Sequence, residues 1–139
     1  MQTICYEPRT TILVADNDDD NRSLVRAVLA LKGFDVLEAI DGEEAYVLAV
    51  EKRPALLLID LKLPLVSGIR VIRKLREVGI KNMPIIATSP DRPVSHRDLA
   101  LAAGCVAHIE KPYEPDQLDD ILDQFQPGTR ASLISVLVH

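Results

Sequence analysis

The stretch Ala55–Asp60, ALLLID, is apolar at every position until its last and shows no polar alternation. As a strand it must be covered on both faces, the mark of a central strand in a parallel sheet. Three more apolar runs accompany it, Thr11–Ala15 (TILVA), Pro84–Thr88 (PIIAT) and Cys105–Ile109 (CVAHI), with a shorter one at Asp35–Ala39 (DVLEA). Between the runs, apolar residues recur at helical spacing. Leu24, Val25, Val28, Leu29 and Leu31 predict a helix over about 19–31, stopped at Lys32-Gly33. Ala45, Leu48 and Ala49 predict a second over 43–52, N-capped by Asp41 and broken by Pro54. A third opens at Ser67-Gly68 and runs to Glu77, with Ile69, Ile72 and Leu75 inward. A fourth covers about Ser95–Ala103, and a fifth runs from Pro115 to Phe125 on Leu118, Ile121, Leu122 and Phe125.

Strand and helix therefore alternate through five units. Short connections and right-handed crossovers turn that order into an α/β fold, a doubly wound five-stranded parallel sheet with helices on both faces. Strand order 2-1-3-4-5 is one of the two common arrangements. The domain is expected over residues 10–126, with an N-terminal extension at 1–9 and a tail at 127–139. The tail contains the apolar run ASLISVLV, expected to be disordered or to dock on its own domain rather than serve a partner as a contact strand.

Composition narrows the function classes. Hydrophobic residues make up 47% of the 139-residue chain and charged residues 27%, a globular balance. The net charge of −5, concentrated at Asp16–Asp20, argues against nucleic acid, which demands a basic face. No apolar run approaches the roughly 20 residues of a membrane span. The start, MQTICYEPRT, lacks a basic region followed by an apolar stretch, so a cytoplasmic location is expected. The two cysteines form no CxxC pair, and Cys105, inside an apolar run, is expected to be buried and reduced.

Chemistry gathers where the apolar runs end. Asp16, Asp60, Ser89 and Lys111 follow or nearly follow four of them. Ligands of such sheets bind outside the carboxyl ends of the strands. In the order 2-1-3-4-5, Asp16 and Asp60 face each other across one strand spacing, about 4.8 Å. Carboxylates that close repel, so one keeps a proton or a cation binds between them. Mg²⁺ suits oxygen ligands. Lys111 lies two strands from Asp60, roughly 10 Å at the backbone, a gap its side chain can largely bridge. Asp60, ending the most buried strand, is the better nucleophile toward phosphorus, and Asp16, in a solvated acidic turn, suits a metal. Lys111 and the metal would neutralise phosphoryl charge, while the Ser89 hydroxyl donates to the new phosphate. Asp18, Asp19 and Asp20 are better read as the start of the first helix than as metal ligands.

The pieces ILVADN (12–17), LLLIDLKLPLVSG (56–68), PIIATS (84–89) and HIEKPYEPDQL (108–118) together resemble the receiver domain of two-component response regulators. The spacing Asp60, Pro64, Gly68, followed by Lys111-Pro112, is specific in combination, and the resemblance covers about residues 10–126. It implies the flavodoxin-like, chemotaxis-type fold, with Asp60 accepting a phosphoryl group from a histidine kinase or phosphotransfer protein. It further implies Mg²⁺ on Asp16, Asp60 and the backbone carbonyl of Lys62, with Asn17 beside them. Ser89 and His108 become the switch pair, Lys111 the phosphate contact, and the Lys111-Pro112 bond cis. Output is expected by protein–protein contact through the face of the fourth helix, fifth strand and fifth helix; dimerisation is left open.

Three positions depart from the family pattern. Asn17 stands where a second acidic residue is usual, which lowers the charge of the metal site and the expected Mg²⁺ affinity. Pro90, after the switch hydroxyl, has no N–H to offer a phosphate. Lys62 follows the nucleophile by two and brings a cation near the acidic site. The expectation is a single-domain response regulator, not an enzyme beyond its own phosphorylation and dephosphorylation. The alternative is a pseudo-receiver, a protein-binding module independent of phosphate. A haloacid-dehalogenase-like phosphatase fits worse, since Asp60-Leu61-Lys62 lacks the second aspartate of D-x-D.

Overall fold

The computed structural model describes residues 10–90 and 94–124. Expectations about the N-terminal extension, Cys5, Phe125 and the tail lie outside the described residues. Five strands, β1 (Thr11–Ala15), β2 (Asp35–Ala39), β3 (Leu56–Asp60), β4 (Ile85–Ser89) and β5 (Ala107–Glu110), pair in parallel in the order β2-β1-β3-β4-β5. They alternate with α1 (Asp19–Leu31), α2 (Gly42–Lys52), α3 (Gly68–Glu77), α4 (Val94–Ala103) and α5 (Pro115–Gln124).

Every residue of β3 is buried, as its unbroken apolar run requires. Its alternate side chains feed two cores. Leu57 and Ile59 join Leu13, Ile85 and Ala87 under Ala45 and Ala49 of α2, Val71, Ile72 and Leu75 of α3, and Ala100 of α4. Leu56 and Leu58 join Ile12, Val14, Ile86 and Ile109 under Val25 and Leu29 of α1 and Leu118 and Leu122 of α5. A period of two thus supplies a two-sided sheet. Truncating one of these fully buried leucines to alanine costs about 2–5 kcal/mol.

Several boundaries differ from the expectation, each for a local reason. β3 and β4 run one residue further, because Asp60 pairs in register with Thr88 and Ser89 with Glu110. The last strand begins at Ala107 rather than Cys105. The amides of Gly104 and Cys105 are taken by the Ala100 carbonyl at the end of α4, at 3.2 and 3.1 Å, so they close the helix instead of entering the sheet. In α1, Leu24 and Leu31 are 52% and 89% exposed, so the inward stripe is Val25, Val28 and Leu29. In α3 the sequence reading missed Val71, which is fully buried, while Ile69 is half-buried. Asp41 caps α2 as anticipated, its carboxylate accepting the Glu44 amide at 2.7 Å, but the helix begins at Gly42. Cys105 is a buried free thiol, and its burial pushes its pKa up.

Candidate functional site

Asp16 follows β1, Asp60 and Ser89 end β3 and β4, and Lys111 follows β5. Parallel register carries these strand ends to one edge of the sheet. Ala15 pairs with Ile59, so the next step along both strands brings Asp16 opposite Asp60. The Lys111 ammonium closes the cluster: its Nζ donates to Asp16 Oδ2 at 2.7 Å and to Asp60 Oδ2 at 2.9 Å. Both carboxylates are buried, and the positive charge that their proximity calls for is supplied by the protein itself. Burial opposes the charge on Lys111, yet its bonds to Asp16 and Asp60 outweigh that and hold its pKa above the ordinary value.

The expectation that Asp16 lies in a solvated turn is corrected: it is 3% exposed. Its Oδ1 accepts the Asp18 amide at 2.9 Å, and its Oδ2 also accepts Asn21 Nδ2 at 2.6 Å. Arg22 holds the same residue from behind, Nη1 donating to the Asp16 carbonyl at 2.8 Å, Nε to Glu38 at 2.9 Å and Nη2 to Asp19 at 2.6 Å. Asn21 and Arg22 escaped the sequence reading. Their signal was positional, two polar side chains in the first turns of a helix that starts beside the acidic strand end. Asp18, as expected, caps α1, accepting the amides of Asp20 and Asn21 at 3.0 and 3.3 Å.

Asp60 is positioned by its own loop. Its Oδ1 accepts the Lys62 amide at 2.8 Å, and the Lys62 side chain is exposed. The loop then folds back, Gly68 N–H donating to the Leu61 carbonyl at 3.0 Å. A Cβ on Gly68 would stand 2.5 Å from the Asp60 carbonyl oxygen, so the close approach requires glycine. Leu65, in the same loop, holds φ at 70° and is 76% exposed. Asn17 is exposed and makes no hydrogen bond with Asp16, Asp60 or Lys111.

Ser89, fully buried, shares a 3.1 Å hydrogen bond between its Oγ and His108 Nε2. His108 sits in β5 opposite Ala87 and lines a cavity of about 370 Å³ with Arg97, Leu101, Val106 and Ile121. Its pKa is lowered, first by burial and then by the charge of Arg97. Tyr113, also missed, lies just beyond Lys111-Pro112, whose peptide bond is cis. Burial raises its phenol, and Asn21 draws it partly back.

The donor set fits a hard divalent cation in kind: two buried carboxylates whose oxygens converge on one positive centre. Among the described residues, no group of three His, Cys, Asp or Glu side chains is placed to hold a metal. The remaining ligands would have to be backbone or amide oxygens and water.

Fold and site define a doubly wound α/β domain with two buried carboxylates and a shared lysine at the carboxyl edge of its sheet. The sequence pattern of the response regulator receiver domain matches residues 12–123, and the chain belongs to that family. The chain is 37% identical over 107 residues to the transcriptional regulatory protein SrrA of Staphylococcus aureus; the match covers 77% of this chain but 44% of SrrA. This chain thus spans less than half the length of that relative. Among solved structures it resembles a Francisella response regulator receiver domain, with 26% identity, a TM-score of 0.79 and coverage of 84% and 96% of the two chains. It also resembles the receiver domain of a sensor histidine kinase from Pseudomonas aeruginosa, described with a magnesium ion in its active-site cleft. That match has 28% identity, a TM-score of 0.76 and coverage of 84% and 97%.

Proposed function

We propose that this receiver domain accepts a phosphoryl group on Asp60 from the phosphohistidine of a kinase or phosphotransfer protein. The observation that carries this reading is the Lys111 ammonium bound to both buried carboxylates at 2.7 and 2.9 Å. A carboxylate oxygen of Asp60 attacks phosphorus, the P–N bond to the donor imidazole breaks, and its electron pair returns to the ring nitrogen. Lys111 spreads its charge over the phosphoryl oxygens, and the Lys62 amide fixes the rotation of the Asp60 carboxylate. Asp16, Asp60 and the Lys62 backbone carbonyl, with the Asn17 amide oxygen beside Asp16, would hold a Mg²⁺ ion, which would supply further positive charge to the phosphoryl oxygens.

Ser89 Oγ exchanges its bond with His108 for one to the phosphoryl oxygen, which biases His108 and the face of α4, β5 and α5 beside it. The signal then leaves by protein–protein contact on that face. The test is intact-mass spectrometry after incubation with acetyl phosphate and Mg²⁺, and with a phosphorylated phosphotransfer domain. One phosphoryl group is expected on the parent and none on Asp60→Ala. A folded parent that gains none from either donor overturns the reading.

A second reading has its own support. Asn17 is exposed and Pro90 brings no N–H, which favours a pseudo-receiver that binds its partner without phosphate. Mg²⁺ titration separates the two. Saturation at low millimolar concentration supports the phosphoacceptor, and absence of binding supports the pseudo-receiver.

A further inference from the structure

The helix α4 is held mainly at one end. From His96 to Leu99 none of its side chains is buried, and Leu99 is 45% exposed. The residues it does bury, Ala100 and Ala103, lie in its C-terminal half and are small. Its neighbour α3 instead buries Val71, Ile72 and Leu75 completely. Alanine removes little apolar area from water, so packing alone holds α4 weakly.

Arg76, near the end of α3, supplies what packing does not. Its Nε and Nη2 donate to the Gly104 carbonyl at 3.1 and 2.7 Å, and its Nη1 donates to the Ile80 carbonyl at 2.9 Å. One guanidinium thereby ties α3 to the loop before β4 and to the turn between α4 and β5. The fit is close: Gly104 holds φ at 124°, and a Cβ there would stand 2.8 Å from Arg76 Cγ. The Val106 amide, donating to the Ile85 carbonyl at 2.8 Å, pins the same corner to β4. Two residues further on, His108 shares its hydrogen bond with Ser89.

We propose that Arg76 is a positioning residue that anchors the α4–β5 corner, so that α4 opens from its N-terminal half about a fixed C-terminal end. The cavity of about 370 Å³ lined by Arg97 and Leu101 leaves room beside the helix for that opening. The trigger, though not the anchor, rests on the phosphoacceptor reading. When Ser89 changes partner, the first half of α4 responds and the corner stays in place.

Hydrogen exchange of the 139-residue protein, read amide by amide by NMR, tests the anchor without and with excess acetyl phosphate and Mg²⁺. In the untreated parent, amides 98–100 are expected to exchange about tenfold faster than amides 103–106. Arg76→Met is expected to speed 103–106 about tenfold while the β3 amides 56–60 keep their parent rates. Arg76→Lys keeps the charge but not the fork and falls between, and it carries the test if the Met variant does not fold. Under acetyl phosphate, the change in the parent is confined to the first half of α4, and in Arg76→Lys it spreads into 103–106. Unchanged exchange at 103–106 in the folded variants overturns the proposal. So does uniform acceleration that includes 56–60, because Arg76 then serves the whole core. A parent that gains no phosphoryl group overturns the phosphoacceptor reading, and the untreated comparison still decides the anchor.

Discussion

Two ends of the same sheet edge are built on different terms. At the β1–β3 end, Asp16 and Asp60 are buried and held by the amides of Asp18 and Lys62, by Asn21 and by the shared Lys111 ammonium. At the β4–β5 end, Ser89 and His108 share a hydrogen bond beside a cavity of about 370 Å³. The first end has a donor on every carboxylate oxygen and suits chemistry that needs fixed geometry. The second has space beside it and suits a residue pair that must change partners. The proposed phosphoacceptor, reacting at one place and reporting at another, would profit from that division.

The sharpest way to break the comparison is at Lys111. Lys111→Met removes the cation between two buried carboxylates, and loss of one partner from such a cluster costs about 3 kcal/mol. Urea denaturation is expected to show this loss, with partial recovery in millimolar Mg²⁺. Recovery without Mg²⁺, or none with it, would show that the carboxylates do not share a cation site. Gly68→Ala follows: its new Cβ stands 2.5 Å from the Asp60 carbonyl oxygen and 2.7 Å from Leu61 Cα. About 2 kcal/mol of stability is expected to go with a slower acetyl phosphate reaction, because the backbone of Asp60 must move. Asn21→Ala removes a 2.6 Å bond to the Asp16 carboxylate and is expected to cost about 1.5 kcal/mol in the same denaturation assay.

What could be read in advance follows the same divide. The unbroken run of β3 announced a central strand, and the polar residues at strand ends announced the pocket, because period and position are properties of the sequence itself. The tight hold on Asp16 was not legible, since it depends on where α1 turns back and so on Asn21 and Arg22 meeting a strand end from a helix. The start of β5 was misplaced for a related reason. CVAHI has the right residues for a strand, but its first amide belongs to the helix before it, a claim that only tertiary geometry decides. Leu24 and Leu31 show the same limit, apolar residues at near-helical spacing that face solvent.

The smallest expected effect probes the β4–β5 end of the comparison, through pH. His108 has its pKa lowered in the folded protein, by burial first and by Arg97 next, with His96 adding to this and Glu110 opposing it. The unfolded chain therefore takes up a proton at higher pH than the folded one. The stabilisation from keeping His108 neutral is present above the ordinary histidine value and is lost as pH falls through the depressed value. Because His108 is only partly buried, screening holds the effect to a fraction of about 1 kcal/mol. Thermal melts of the parent between pH 7.5 and 5 (about one unit either side of the histidine range) are expected to fall more steeply than those of His108→Phe. The Phe variant keeps the ring in β5 but has nothing to titrate. Parallel slopes would mean that His108 is solvated well enough to titrate as in the unfolded chain. The β4–β5 end would then be looser still than its hydrogen bond to Ser89 implies.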